Sequence, residues 1–138
     1  MDIDYNGLKK MFQPDVRPLL PPLIFPACQQ ELIDLLPDNK QKTTLKKQMK
    51  KRLAFYESNR DSFWQHRGYF EQVKKADAEK GLPALFSFRF NQVSDLNNLR
   101  ILFVLNDHRM VLITAFFEKR TSDYHHAIAV AQERIKKA

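Results

Sequence analysis

The sequence predicts an α+β domain: N-terminal helices packed on one face of a small, antiparallel-rich sheet, followed by a C-terminal helix. Three observations carry that expectation. Apolar residues recur at helical spacing across residues 29–56, they switch to two-residue spacing from Phe86 onward, and the later apolar runs are separated by polar, turn-forming residues. A chain of 138 residues, 43% hydrophobic and 28% charged, has the size and composition of one globular domain. Residues 1–138 are therefore read as a single domain, with 1–27 as a proline-rich extension or edge strand.

Five of the seven prolines (Pro14, Pro18, Pro21, Pro22 and Pro26) lie in that first stretch. Proline lacks the N–H and disfavours a helical residue before it, so an extended arm or edge strand is expected. Leu19, Leu20, Leu23, Ile24 and Phe25 give it apolar surface to lay on a core. Residues 31–36 form a short amphipathic helix stopped by Pro37, and Asp38 or Asn39 can cap the next one. Leu45, Met49, Leu53 and Tyr56 then share one helical face. The rest of that helix is basic: Lys40, Lys42, Lys46, Lys47, Lys50, Lys51 and Arg52 occur with no acid among them. Phe63, Arg67, Phe70 and Val73 or Lys74 fit another helix ended by Gly81, although Gly68 is unfavourable inside it.

The last third reads as strands. Phe86, Phe88 and Phe90 alternate with Ser87 and Arg89, which describes a half-buried strand. Residues 99–105 and 110–117 form a hairpin around Asn106, Asp107 and His108. Ser122 or Asp123 is placed to cap a final helix in which Ala127, Val130 or Ala131, and Arg134 share a face.

The charge balance is 23 Lys and Arg against 16 Asp and Glu, a net +7, with a pI near 9.6. That excess favours polyanionic partners such as nucleic acid, or an acidic protein. The single cysteine, Cys28, excludes an internal disulfide and a Cys-pair zinc site, and suits a reducing, cytoplasmic compartment. The acidic start lacks the character of a secretion signal, and no apolar run approaches the ~20 residues that span a bilayer. No membrane association is expected.

Three glycines are too few for the usual phosphate loop, and no metalloprotease or nucleophile-elbow motif is present. His125 and His126, adjacent on a helix, point ~100° apart and make a poor chelating pair, so neither metal nor cofactor is expected. A single histidine serves better in proton transfer. The segment 117–125 stands out: Lys119 and Arg120 close a strand, and Tyr124 and His125 open a helix. With Arg89 and Arg100 on one sheet face, four cations would converge there, bind a phosphodiester and lower the pKa of nearby proton donors. The alternative is a solvated strand end with Tyr124 as a packing residue. Lys46, Lys47, Lys50 and Lys51 are either a second phosphate-contacting surface or a solvated helix face.

Phe86-Ser87-Phe88-Arg89-Phe90, Leu99-Arg100-Ile101-Leu102-Phe103-Val104, the run from Met110 to Arg120, and Ala131-Gln132-Glu133-Arg134 form an ordered series. It resembles the RelE/HigB superfamily of bacterial and phage toxins, especially the phage-derived HigB-like branch, over residues 81–137. The resemblance implies a RelE-like α+β toxin of a type II toxin–antitoxin system. Such a toxin is an mRNA interferase, an endoribonuclease that cleaves messenger RNA, often on the ribosome, and a cognate antitoxin neutralises it. Arg100 matches the family arginine at the scissile phosphate, Arg120 the arginine after the hydrophobic strand, and Tyr124 the tyrosine near the C-terminal end. Asp123-Tyr124-His125 is similar to the Asp-Tyr-His ending of some HigB toxins, and Arg89 fits the cation of the preceding strand. The implied metal-free mechanism is attack by the ribose 2′-hydroxyl, with Arg100 and Arg120 stabilising phosphate, Tyr124 or His125 moving protons, and Lys119 assisting. Residues 86–88 depart from the lysine-rich strand of the family. A noncatalytic member of the RelE/ParE fold, either a gyrase-poisoning toxin or a nucleic-acid-binding module, is the alternative.

Overall fold

The computed structural model describes residues 21–138. Most of the proline-rich stretch, residues 1–20, lies outside the described residues. In chain order the elements are β1 (Leu23–Ile24), α1 (Pro26–Leu35), α2 (Asn39–Ser58), a 3-10 turn (Phe63–Gln65), β2 (Phe70–Lys74), β3 (Leu85–Arg89), β4 (Leu99–Asn106), β5 (Arg109–Phe117) and α3 (Thr121–Lys137). The strands form one mixed sheet ordered β1-β5-β4-β3-β2. β1 runs parallel to β5, and the other three pairings are antiparallel.

Local chemistry explains most of these elements. Pro26 occupies the first turn of α1, where a missing N–H costs nothing, so the extended stretch gives way to helix earlier than the proline count suggested. The Asp38 carboxylate accepts the Lys40 N–H at 2.9 Å and caps α2. Asn106 pairs with Arg109, leaving Asp107 and His108 as a two-residue turn with φ of 52° and 65°. Left-handed residues at both positions match the twist of the strands they join. At α3 the expected cap shifts: the helix begins at Thr121, and Asp123 instead reaches back to the N–H groups of Lys119 (2.8 Å) and Arg120 (2.9 Å). Those two bonds hold its carboxyl below the usual range.

Two departures from the sequence-based expectation matter for the site. The first is that residues 63–74 are not a helix: Phe63 sits in the 3-10 turn, and Phe70–Lys74 is the edge strand β2, paired to β3 through Phe70 with Phe88 and Glu71 with Ser87. Gly68 weakens the helix, and Phe70 gains ring contacts with Phe88 at 5.3 Å and Phe63 at 5.0 Å that only the strand allows. The second is that the sheet is covered on both faces, and β3 and β4 are buried on both sides instead of half-buried. α1 and α2 pack over Phe63, Phe70, Phe86, Phe88, Ile101 and Phe103. α3 takes the opposite face, where Ala127 and Ala131 lie against Leu85, Leu102, Val104 and Ile113. Alanine at those two positions lets the helix backbone approach the strands closely.

Beyond the two residues of β1, the edge of β5 is closed by side chains. Arg134 donates to the Ile113 carbonyl at 2.8 Å and pairs with Glu31 at 2.8 and 3.1 Å; the same carboxylate accepts from Thr114 Oγ1 at 3.0 Å and from the Ala115 N–H at 3.3 Å. One ion pair thereby ties α1 to α3 and satisfies an otherwise open strand edge. Cys28 lies beneath it, fully buried. Burial, reinforced by Glu31, pushes its thiol from 9.0 up to about 12. The unfolded chain ionises this thiol first, so the stability it contributes is complete below about pH 9 and lost as pH rises toward 12. Urea melts should therefore show stability falling as pH rises from about 9 to about 11, and Cys28→Ala should flatten that fall. Equal slopes in the two proteins would refute the assignment.

Candidate active site

Tyr124 opens α3 with its ring edge-on to Phe116, centroids 5.2 Å apart, which aims the phenol along the sheet face toward β3 and β2. Its hydroxyl donates to Glu71 Oε2 at 3.2 Å and lies 3.5 Å from Ser87 Oγ. Glu71 faces Ser87 directly across the β2–β3 pairing, and its Oε2 is also 3.4 Å from the Arg89 guanidinium. Arg89 in turn faces Arg100 across β3–β4, so the two arginines share a sheet face. Arg100 is buried. It donates to the carbonyls of Asn97 (3.0 Å) and Leu99 (2.9 Å) and pairs with Glu118 at 3.3 Å. Four strands' ends and one helix N-terminus thus bring Glu71, Ser87, Arg89, Arg100, Glu118 and Tyr124 to one end of the sheet.

The electrostatics differ from a bare cation cluster. Two carboxylates sit among the two arginines, so these four charges cancel. The Tyr124 phenol is raised above its ordinary value, not lowered: burial is the main cause, Glu71 and Glu118 add to it, and the Ser87 hydrogen bond and the Arg100 charge oppose it only in part. The phenol therefore stays protonated through neutral pH and is a hydrogen-bond donor, which corrects the expectation that surrounding cations would make it acidic. Two donors in the cluster, Arg89 Nε and Arg100 Nε, are buried with no acceptor among the described residues. An unpaired buried N–H costs on the order of 1–3 kcal/mol.

The remaining sequence-predicted residues fall in three places. Lys119 and Arg120 are exposed at the β5–α3 junction, five and four residues before Tyr124 in the chain, with their backbone N–H groups fixed by Asp123. His125 is exposed and one helical step around from Tyr124. Lys46, Lys47, Lys50 and Lys51 are exposed on α2, on the sheet face opposite Tyr124, where Lys46 and Lys50 border an apolar groove over Leu32, Met49 and Leu112. Arg52, expected on that solvated basic face, is buried instead. It donates to the Arg89 carbonyl at 2.7 Å and to Gln48, and desolvation lowers its pKa from 12.5 to about 10.

Glu71 and Glu118 were not singled out from the sequence. Reading residues 70–74 as a strand opposite Phe86–Arg89 would have placed Glu71 beside Ser87 and Arg89. Glu118 carried a weaker signal, its position between the strand and the Lys119-Arg120 pair. No family model matches this chain, and neither a curated protein nor a solved structure matches it. Among the described residues no helix is long and apolar enough to cross a membrane.

Proposed function

We propose that the protein is the toxin of a type II toxin–antitoxin system, an endoribonuclease that cleaves messenger RNA on or off the ribosome in the cytoplasm and is held in check by a cognate antitoxin. The observation that carries this reading is the meeting of Tyr124, Glu71, Ser87 and Arg89 from three elements at one sheet end, with Lys119 and Arg120 exposed in the turn that leads into Tyr124's helix.

The chemistry follows from those groups. Arg89, Lys119 and Arg120 attract and orient a phosphodiester. Glu71 is the carboxylate suited to accept the proton of a ribose 2′-hydroxyl as its oxygen attacks phosphorus. The bond from phosphorus to the 5′ oxygen breaks, and the Tyr124 hydroxyl supplies the proton to that leaving oxygen. Products are a 2′,3′-cyclic phosphate and a 5′-hydroxyl. The 3.2 Å hydrogen bond between Tyr124 and Glu71 then returns the proton from the carboxylic acid to the phenolate and resets the pair. His125 stands next to Tyr124 as the second proton carrier.

Primer extension on RNA from cells making the protein should map discrete cleavage ends, and the fragments should carry 2′,3′-cyclic phosphate. Growth arrest with intact RNA would overturn this reading. It would favour the noncatalytic one, a RelE/ParE-fold protein that poisons gyrase or binds nucleic acid. That alternative draws on Arg100, whose guanidinium is already committed to two carbonyls and Glu118.

A further inference from the structure

Around the edge of β2 from the candidate active site, four planar groups are piled on one another. The Arg52 guanidinium lies 4.5 Å from the centroid of the buried Phe90 ring and 4.4 Å from that of Tyr69. Tyr69 stacks in turn on His66, with centroids 4.1 Å apart and planes within 7°. A guanidinium and an imidazole this close to one ring have room only on its opposite faces, which gives the order Phe90, Arg52, Tyr69, His66. Phe55 stands perpendicular to both outer rings, at 81° to His66 and 88° to Tyr69, so it flanks the pile and does not end it. Gly68 lies at the imidazole's margin, where even a Cβ would come within 3.2 Å of His66 Cε1. His66 is exposed, and among the described residues no further ring stacks on the face away from Tyr69, which makes that face the outer end of the pile.

We propose that this outer face of His66 is a stacking platform for a nucleobase of single-stranded RNA, adjacent to the phosphate bound at the candidate active site. The proposal rests on the RNA-cleaving reading above and adds a base subsite to it. Three features argue for a ligand role. The pile is held rigid from within, because Arg52 is buried and bound to the Arg89 carbonyl at 2.7 Å. A preformed platform needs no ordering when a base arrives. Its position is also right: Tyr69 immediately precedes β2, its carbonyl accepts the Arg89 N–H at 2.8 Å, and Glu71 is only two residues on, at most ~7 Å along the chain. Finally, exposed Arg67 beside His66 supplies a cation for the RNA backbone. Because every base has a π-face, the platform sets where a nucleotide sits without selecting its identity.

The test uses uncleavable 2′-O-methyl RNA oligomers in which one base at a time is replaced by 2-aminopurine or removed. Wild-type protein should quench 2-aminopurine at one position, and removing the base there should weaken binding roughly 5- to 150-fold. His66→Ala should weaken binding of the intact oligomer by a similar factor, abolish the quenching, and become indifferent to base removal. His66→Phe should restore both signals, since it keeps a stacking face and loses only the ring nitrogens. A protein that cleaves RNA, with His66→Ala binding as tightly and quenching as strongly as wild type, would overturn the platform alone. A wild type that neither binds nor cleaves RNA would overturn the platform and the RNA-cleaving reading together.

Discussion

Tyr124→Phe is expected to leave the protein folded and to slow RNA cleavage by roughly 100-fold or more. The ring packs edge-on against Phe116 and keeps that contact as phenylalanine, so the substitution removes one oxygen and little else. That oxygen is bonded to Glu71 and lies near Ser87, and the proposed cycle needs it twice: it protonates the leaving 5′ oxygen and then recovers the proton from Glu71. Its raised pKa bears on the direction of the effect, because a phenol protonated through neutral pH serves as a donor across the physiological range. Loss of a single hydrogen bond to a charged acceptor costs about 1.5–3 kcal/mol at most, too little to unfold a typical domain. Single-turnover cleavage of a defined RNA, alongside a urea melt, checks both halves. Wild-type cleavage rates in a folded Tyr124→Phe protein would remove Tyr124 from the mechanism.

The parts of this molecule that could be read in the sequence are those fixed by short-range rules. The β4–β5 hairpin follows from two apolar runs around Asp107 and His108, and α2 follows from the spacing of Leu45, Met49, Leu53 and Tyr56 behind the Asp38 cap. β2 escaped because Phe63, Arg67, Phe70 and Val73 fall by chance at helical spacing, whereas the pairing with β3 that decides the conformation is non-local. The opposite placement of α3 was foreshadowed by Leu85, Leu102, Val104 and Ile113, which give the second sheet face its own apolar patch. For the site, alternation put Arg89 and Arg100 each on one face of its own strand, and the β3–β4 register then sets them side by side. The carboxylates that pair with them do not, since Glu71 arrives through the misread strand. The His66–Tyr69–Arg52 pile was equally hidden, because it needs α2 and the turn before β2 brought together in space.

The largest loss of stability is expected at Phe63, a residue the sequence had placed in the wrong kind of element. Its ring is fully buried and meets Tyr56 of α2 at 4.9 Å, Phe70 of β2 at 5.0 Å, Phe86 of β3 at 5.0 Å and Phe103 of β4 at 6.1 Å. Phe63→Ala removes the transfer energy of the ring and leaves a cavity that four separate elements cannot easily close, which costs about 3–5 kcal/mol. Against a typical total of roughly 5–15 kcal/mol, that is a large share. The urea midpoint should fall with its slope unchanged, and Phe63→Leu should lose markedly less because it refills part of the space. The same ring also connects packing to chemistry. It supports Phe70, and Phe70 fixes the strand from which Glu71 reaches Tyr124. Phe63→Ala should therefore lower cleavage even at temperatures where the protein remains folded, while Phe63→Leu retains most of it. A loss below about 1 kcal/mol for Phe63→Ala would mean that the aromatic cluster can relax around the gap, and that this ring does not hold β2 in place.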